Sequence, residues 1–194
     1  MALDHAILGF LDRGPMTGYD LKTRCFDEAV GHVWTADQAQ VYRTLDRLAD
    51  RGLVKPKLVP QRGKPDRRVF TITRKGRTEL EAWLRSVEEP GPLRDPLLLH
   101  LALASGLPDS EILNLLTRAR AGYMRRLESL RGDIAAESPS CAAPTARDAE
   151  LHRMTLQAAM SSARTAVDWI DDCIDRVKSG LTPLPAAAAA DREA

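Results

Sequence analysis

The sequence of 194 residues predicts a mainly α-helical protein with one small β-hairpin, divided into two domains. Residues 1–90 contain three short helical patterns, two strand-like runs and a fourth helical pattern, whereas residues 93–180 contain helical patterns alone. A segment rich in proline and glycine, 88–92, separates the two halves. We therefore expect an N-terminal domain over 1–90, a helical dimerisation and effector domain over 93–180, and a flexible tail over 181–194.

Three helices are expected before the strands. Apolar residues from Leu3 to Leu11 recur with helical spacing, and Gly14-Pro15 ends that pattern. Thr17 is an N-cap candidate for a second helix that runs to about Ala29. The third helix, with Thr35 as its expected N-cap and Gly52 as its C-cap, has one apolar stripe: Ala39, Val41, Tyr42, Leu45, Leu48 and Ala49.

A basic β-hairpin and a fourth helix follow. Residues 53–59 and 67–72 are runs of β-formers joined by a turn-forming segment, and Pro56 places the first strand at a sheet edge because proline lacks an N–H. Thr73 is the expected cap of a helix to about 87, whose inner face comprises Leu80, Trp83, Leu84 and Val87. This order is typical of the winged helix-turn-helix fold, in which the third helix enters the major groove and the hairpin, or wing, contacts the flanking backbone.

Positive charge is concentrated in the same region. Between Trp34 and Leu80 there are 12 Lys and Arg residues and 5 Asp and Glu residues, although the whole chain has a net charge of +1. A polyanion is therefore attracted to this segment, which makes nucleic acid the first partner to consider. Singly, a polar helix face or a basic hairpin tip is more often ordinary solvated surface; their coincidence favours DNA binding.

The candidate DNA contacts follow from the two elements. Gln38, Gln40 and Arg43 are predicted to reach base edges, since they lie off the apolar stripe near the start of the third helix. Thr44 and Arg47 also lie off the stripe, and Arg47 is a further contact. Tyr42 is either a core ring with a solvated hydroxyl or a phosphate contact. The wing candidates are Arg62, Lys64, Arg67 and Arg68.

Several of these segments resemble the PadR-like transcriptional regulators of bacteria. The resemblance rests on ILGFL at 7–11 with GPMTGYDL at 14–21, QVYRTLDRL at 40–48 with GLV at 52–54, QRGKPDRRVFTIT at 61–73, and RDPLLL at 94–99. It implies a dimeric double-stranded DNA-binding repressor whose C-terminal helices dimerise and respond to a small ligand. Arg43 stands where the family commonly has proline, and Thr17 where it often has histidine, so operator preference can differ and no role of that imidazole is carried over.

The C-terminal half predicts a self-association surface. Residues 97–104 form an apolar helix, Asp109 is the expected cap of a long helix to 130 or 134, and a second long helix covers about 147–179. Two stripes of this length are not expected to be buried within one hairpin, so a second subunit is predicted to cover them. The interface candidates are Leu116, Tyr123, Leu127, Leu151, Met154, Ile170 and Ile174.

The sequence offers little support for catalysis or for a cofactor. His100 and His152 are isolated, and no metal-ligand spacing or phosphate-binding glycine loop occurs. Asp168, Asp171, Asp172 and Asp175 share a helix face that is better read as solvated than as a cation site. Cys25, Cys141 and Cys173 are too far apart to indicate a redox pair. With no apolar run long enough to span a membrane, we expect a cytoplasmic protein without a cofactor or metal.

The prediction is therefore a homodimeric transcriptional regulator, specifically a repressor that a small apolar or aromatic ligand releases from a palindromic operator. Trp169, between Val167 and Ile170, is the candidate ligand residue, although a tryptophan at helical spacing is more often core or interface. Two alternatives stay open: a DNA binder without a ligand, and a winged-helix module that binds another protein through its apolar helices.

Overall fold

The computed structural model describes residues 2–60, 66–86, 89, 91, 93–135 and 145–181. The chain divides into two compact units. The first unit comprises residues 1–91 and 133–159, and the second unit comprises 92–132 and 160–194. No helix in the described ranges combines the length and apolar content that a membrane span requires.

The first unit has the order of elements that the sequence predicts, with one additional strand. Its elements are α1 (Ala2–Arg13), β1 (Met16–Thr17), α2 (Gly18–Asp20), a π-helix (Leu21–Ala29), α3 (Gln38–Asp50), β2 (Val54–Val59), β3 (Arg67–Ile72) and α4 (Arg74–Arg85). The two-residue strand β1 was not predicted, because two residues are too few to show an alternating pattern. The second helical segment covers 18–29 as expected, but most of it is of the π type.

A three-stranded antiparallel sheet in the order β1-β3-β2 organises this unit. Strand β2 lies at an edge, which confirms the expectation from Pro56; this residue pairs with Phe70 in the register. Residues opposite one another in a ladder share a face, so Val54 and Phe70 lie on the buried face while Lys55 and Lys57 lie on the outer face.

Local capping explains where the helices begin and end. Thr17 accepts a hydrogen bond from the Asp20 N–H, and Thr73 accepts one from the Gly76 N–H, so both predicted caps are confirmed. The predicted Thr35 cap is wrong, because α3 begins two residues later with Asp37 as its N-cap. Gly52 has φ +70°, a left-handed conformation that favours glycine at the end of α3.

The core of the first unit lies between the helices and the inner face of the sheet. Phe26, Phe70, Ile7 and Leu45 are among its fully buried side chains. Two predicted positions differ from expectation: Thr44 is buried rather than on the polar face, and Leu84 is exposed rather than on the inner face of α4. Val87, the last predicted inner residue, lies outside the described residues.

The second unit is helical in its described part. Its elements are α5 (Pro96–Leu103), a 3₁₀ turn (Ala104–Gly106), α6 (Asp109–Ala135) up to 132, and α7 (Ala146–Lys178) from 160 onward. Asp109 is the first residue of α6 rather than the residue before it. The part of α7 before residue 160 belongs to the first unit. At its start Thr145 accepts a hydrogen bond from the Asp148 N–H, and Asp148 accepts one from the Thr145 N–H.

Four predicted interface residues are core residues of this unit instead. Leu116, Ile170 and Ile174 pack in one cluster, and Leu127 packs with Ala163 and Val167 in another. The helices α5, α6 and α7 thus bury most of their own stripes within one chain. Leu116, Ile170 and Ile174 pack in a cluster that includes α5, and Leu127 packs against α7, so these four side chains do not need a second subunit for burial. Their contact with a second subunit stays a prediction.

Candidate nucleic-acid interface

The N-terminal turns of α3 present polar side chains around a buried stripe. Val41, Leu45 and Leu48 are fully buried, which fixes the rotation of the helix. On the opposite side Gln38, Gln40 and Arg43 are exposed. Gln38 and Arg43 form no side-chain hydrogen bond or ion pair with any described residue, so their donors remain available to an external acceptor.

Gln40 has a structural role in addition to its predicted one. Its side-chain Oε1 accepts a hydrogen bond from the Asp37 N–H at 3.0 Å, while Asp37 Oδ1 accepts one from the Gln40 N–H at 2.7 Å. This reciprocal pair is a capping box, which holds the helix start rigid. The amide nitrogen of Gln40 is not needed for the cap and can still donate to a base edge.

Tyr42 packs against the start of α2. A Cβ atom added to Gly18 would lie 2.7 Å from Cε1 of the Tyr42 ring, so only a glycine permits this approach. The Tyr42 side chain is 37% exposed. Both alternatives for this residue, a core ring with a solvated hydroxyl and a phosphate contact, stay open.

Arg47 is held by a buried carboxylate. Asp4 is 2% exposed and accepts a hydrogen bond from Arg47 Nη2 at 2.6 Å, and Arg51 Nη1 lies 3.5 Å from its second oxygen. Arg47 of α3 and Arg51, the residue that follows α3, thus neutralise one carboxylate of α1. The assignment of Arg47 as a DNA contact stays a prediction, but its guanidinium already has a structural partner.

The two described wing arginines point to opposite faces of the sheet. Arg68 lies on the inner face, where its Nη1 binds Asp46 at 2.6 Å and its guanidinium lies 4.8 Å from the centre of the Phe70 ring. Arg67 lies on the outer face and donates to Asp20 Oδ2 at 3.2 Å. Arg62 and Lys64 lie outside the described residues.

The charge of Arg67 contributes to the state of Asp20. Burial by itself raises the pKa of that carboxyl, but hydrogen bonds from Thr17 and the positive charges of Arg67 and Arg24 outweigh burial, so the pKa is lowered overall. Asp20 is therefore a stable anion that fixes Arg67 over the first turn of α2.

Three exposed residues beside these candidates were not predicted. Lys55 and Lys57 lie on the outer face of β2, on the same side as Arg67, and form no ion pair with a described residue. Tyr19, in α2, is 61% exposed. The Lys-Pro-Lys sequence in an edge strand was the available signal for the two lysines, because alternation places both on one face.

Other candidate residues of the sequence analysis belong to the second unit. Trp169 is 37% exposed on α7 in the second unit, and Tyr123 donates a hydrogen bond to Asp95 Oδ2 at 2.9 Å there. Asp171, from the acidic face, pairs with Arg120. Among the described residues no group of three or more His, Cys, Asp or Glu side chains could hold a metal ion.

Comparison with known proteins shows which sequences this chain resembles. Residues 7–82 match the model of the transcriptional regulator PadR-like family. A probable transcriptional regulator of Mycobacterium tuberculosis is 33% identical over 187 residues, which cover 92% of this chain and 98% of that protein. The chain belongs to the PadR-like family of transcriptional regulators.

Other relatives of the PadR-like chain extend over both units. Residues 93–178 match the model of the virulence activator alpha C-terminal family. The negative transcriptional regulator PadR of Bacillus subtilis is 29% identical, with 89% of this chain and 95% of that protein covered.

Two solved structures of the Bacillus subtilis protein resemble this chain. The complex of that PadR with operator DNA has a TM-score of 0.77 at 28% identity and covers 91% of this chain and 99% of its own. Its complex with p-coumaric acid has a TM-score of 0.69 at 26% identity and covers 91% of this chain and 94% of its own.

Proposed function

We propose that this protein is a sequence-specific DNA-binding regulator, a homodimeric repressor that a small ligand releases from its operator. The observation that carries the proposal is the exposed set Gln38, Gln40 and Arg43 on a rigidly capped α3, together with the basic outer face of the wing. It acts by binding, without catalysis, and its action on chromosomal DNA implies a cytoplasmic location. The Bacillus subtilis relative, a negative regulator solved with operator DNA and with p-coumaric acid, supports the proposed repression, DNA binding and ligand binding.

The proposed DNA contacts divide into two classes. Gln38, Gln40 and Arg43 project from the helix that enters the major groove, where amide and guanidinium donors pair with purine edges. Lys55 and Lys57 lie on the wing and bind phosphates, which adds affinity without sequence information, whereas Arg67 is already paired with Asp20. Arg47 and Arg68 hold α3 against α1 and the sheet through Asp4 and Asp46, so they position the recognition helix.

The proposed homodimer follows from the symmetry of a palindromic operator, which has two equivalent half-sites. Two recognition helices read a palindrome when they lie about one helical turn apart, roughly 34 Å. Of the seven proposed interface residues, Leu151 and Met154 remain exposed, at 50% and 53%, and they lie on one face of α7 three residues apart. We propose that these two side chains contact the second subunit.

Ligand control requires two dimer shapes with different ligand affinities. A tenfold loss of operator affinity corresponds to about 1.4 kcal/mol of differential binding, which a small apolar ligand readily supplies. A ligand with equal affinity for both shapes changes nothing.

The function is tested by mobility shift of the chain's own promoter DNA. The wild type is expected to give a discrete complex that survives excess nonspecific DNA, and Arg43→Gln is expected to weaken it. Arg153→Gln is the matched control, because Arg153 is an exposed arginine of α7 paired with Glu150. Absence of a complex at low salt would overturn the proposal and favour a protein-interaction module. A complex that no compound in a broad library of apolar and aromatic molecules releases would favour the ligand-free alternative.

A further inference from the structure

The start of α7 packs on the winged helix formed by α1 to α4 of the same chain. Residues 146–159 of α7 belong to the first unit, together with the winged helix. Arg13, the last residue of α1, places its Nη2 3.4 Å from Asp148 Oδ1 on α7. These two residues are 135 positions apart in the sequence, so their ion pair is a tertiary contact.

Two histidines form a second contact beside this ion pair. His32 Nε2 lies 2.9 Å from Thr155 Oγ1, within hydrogen-bond distance. The rings of His32 and His152 meet edge to face, with 5.3 Å between their centres. Both imidazoles are half-buried, whereas His100 of α5 is exposed. The histidine pair is therefore part of the packed contact between α7 and the winged helix.

One face of α7 makes all of these contacts. Asp148, His152 and Thr155 are spaced four and three residues apart, which places them on one side of a helix. Leu151 and Met154, the proposed dimer residues, lie on the neighbouring side. The same stretch of α7 thus offers one face to the winged helix and another to the proposed second subunit.

The loop that carries His32 leads into the recognition helix α3. The Val33 and Trp34 N–H groups both donate to the Val30 carbonyl, each at 2.8 Å, which fixes this loop as a turn. Asp37, the N-cap of α3, follows at the end of the loop. A displacement of His32 is therefore expected to reach the first turn of α3, which carries the proposed base-edge contacts.

The charged groups around the histidine pair are held by other partners. Hydrogen bonds from Thr145, and then the charges of Arg13 and Arg147, outweigh the opposing effect of burial and lower the pKa of Asp148. Charged groups on the adjoining surfaces pair with one another: Asp27 with Lys22, and Glu150 with Arg153. Histidine changes its charge between about pH 5 and 8, so the charge of this contact changes there at His32 and His152.

We propose that Asp148, His152 and Thr155 position the winged helix for operator binding, and that protonation of both histidines releases this contact. Neutral rings keep the edge-to-face packing, whereas two imidazolium rings with centres 5.3 Å apart repel each other. After release, the recognition helices of a dimer are no longer held at the spacing of two half-sites. The effect on operator affinity rests on the proposed function; the contact itself does not.

Operator affinity as a function of pH tests the release. For full-length wild-type protein at constant ionic strength, we expect affinity to fall about tenfold between about pH 7.5 and 5.5, a modest change because half-exposed charges are screened. His152→Phe keeps an aromatic ring that cannot take a proton, and it is expected to bring the ratio of the two affinities close to one. His152→Arg carries a permanent charge, so at the higher pH it is expected to bind about tenfold more weakly than His152→Phe. His100→Phe is the matched control and is expected to keep the wild-type ratio.

Histidine modification reports the contact without DNA. Diethylpyrocarbonate acylates neutral imidazole, and peptide mass mapping gives the rate at each histidine. At about pH 7.5, where histidine is mostly neutral, His152→Arg and Asp148→Asn are each expected to raise the rate at His32 several-fold over the wild type. The exposed His100 is the internal reference, and its rate is expected to stay the same.

Contrary results separate the parts of this proposal. If His152→Phe has the same pH ratio as the wild type, the histidine pair is not the proton-sensitive element. If neither His152→Arg nor Asp148→Asn changes the rate at His32, these residues do not hold the contact. If both raise that rate while operator affinity stays at the wild-type value, the contact does not position the winged helix. If the wild type binds no operator at either pH, the proposed function is wrong, and the modification rates at His32 still decide whether the contact exists.

Discussion

At the scale of single residues, ion pairs with carboxylates of the same chain determine which arginines are available to bind DNA. Asp4 holds Arg47 and Arg51, Asp46 holds Arg68, and Arg43 is left without such a partner among the described residues. The charge count of the sequence treats these arginines as equivalent. Their partners are more than 20 residues away along the chain, so spacing within one helix could not reveal them.

Arg47 and Arg43 offer a matched test of this division. Arg47→Met leaves a buried Asp4 with weaker compensation, so we expect a loss of about 1–2 kcal/mol in unfolding free energy, discounted because Arg47 itself is partly exposed. Arg43→Met is expected to leave stability unchanged and to lower the salt slope of operator binding by about 1. Thermal unfolding and salt titrations measure both effects. Equal losses of stability in the two variants would contradict the assignment.

Tyr123 gives a prediction on the alkaline side. Burial first, and then the hydrogen bond to Asp95, raises the pKa of its phenol. A group with a raised folded-state pKa contributes stability that is full below its ordinary pKa of about 10 and is lost as the pH rises through the folded value. The chain has three tyrosines, and we expect the most alkaline part of the tyrosinate absorbance rise to be lost in Tyr123→Phe while the other two still ionise. This substitution also costs about 1 kcal/mol at neutral pH. Tyr19→Phe, at an exposed site, is the control; persistence of the most alkaline part in Tyr123→Phe would contradict the assignment.

At the scale of elements, periodicity predicted what repeats and missed what is short or irregular. The stripe of α3, the hairpin and the long helices each have several matching positions, and the structure has all of them. The two-residue β1 and the π-helix at 21–29 have no such signal, since one is too short and the other departs from the helical period. Alternation in β2 did contain the positions of Lys55 and Lys57, but the site prediction used the hairpin tip instead.

The wing strands provide the element-scale prediction. Lys57 is on the outer face of β2 and Arg68 is on the inner face of β3, bound to Asp46. Lys57→Gln is therefore expected to lower the salt slope by about 1 for specific and nonspecific DNA alike. Arg68→Gln is expected to lower stability and to change the slope less, because its charge is already paired. Fluorescence anisotropy over a salt series measures the slopes; a larger slope change for Arg68→Gln would reverse the assignment of faces.

At the scale of the whole molecule, the sequence predicts self-association through a set of residues of which four are buried within the single chain. Leu116, Leu127, Ile170 and Ile174 have the spacing of an interface stripe, yet α5 and the neighbouring helices bury them within one chain. An apolar stripe on a helix indicates that this face is buried, but it does not show whether the same chain or a second subunit buries it. Distinguishing an intramolecular cover from a second subunit needs the tertiary packing, which shows Leu151 and Met154 still exposed.

The exposed residues Leu151 and Met154 are expected to respond to substitution differently from the buried Leu127. A glutamate at an exposed self-association face introduces a charge that the interface must desolvate, so Leu151→Glu or Met154→Glu is expected to dissociate the dimer and weaken operator binding while the chain stays folded. Leu127→Ala instead removes buried methyl groups and is expected to lower unfolding free energy by about 2–5 kcal/mol with the dimer retained.

Light scattering at micromolar concentration measures the mass of each variant, and circular dichroism measures its melting. Arg153→Glu supplies a matched surface change on the same helix. If the wild type is monomeric at this concentration, the proposal that a homodimer binds a palindromic operator is wrong. A dimer that survives Leu151→Glu and Met154→Glu together, but dissociates in a folded Leu127→Ala, would return the interface to the stripe that is buried here, and α7 would then have to move away from Leu127 on α6 when two chains meet.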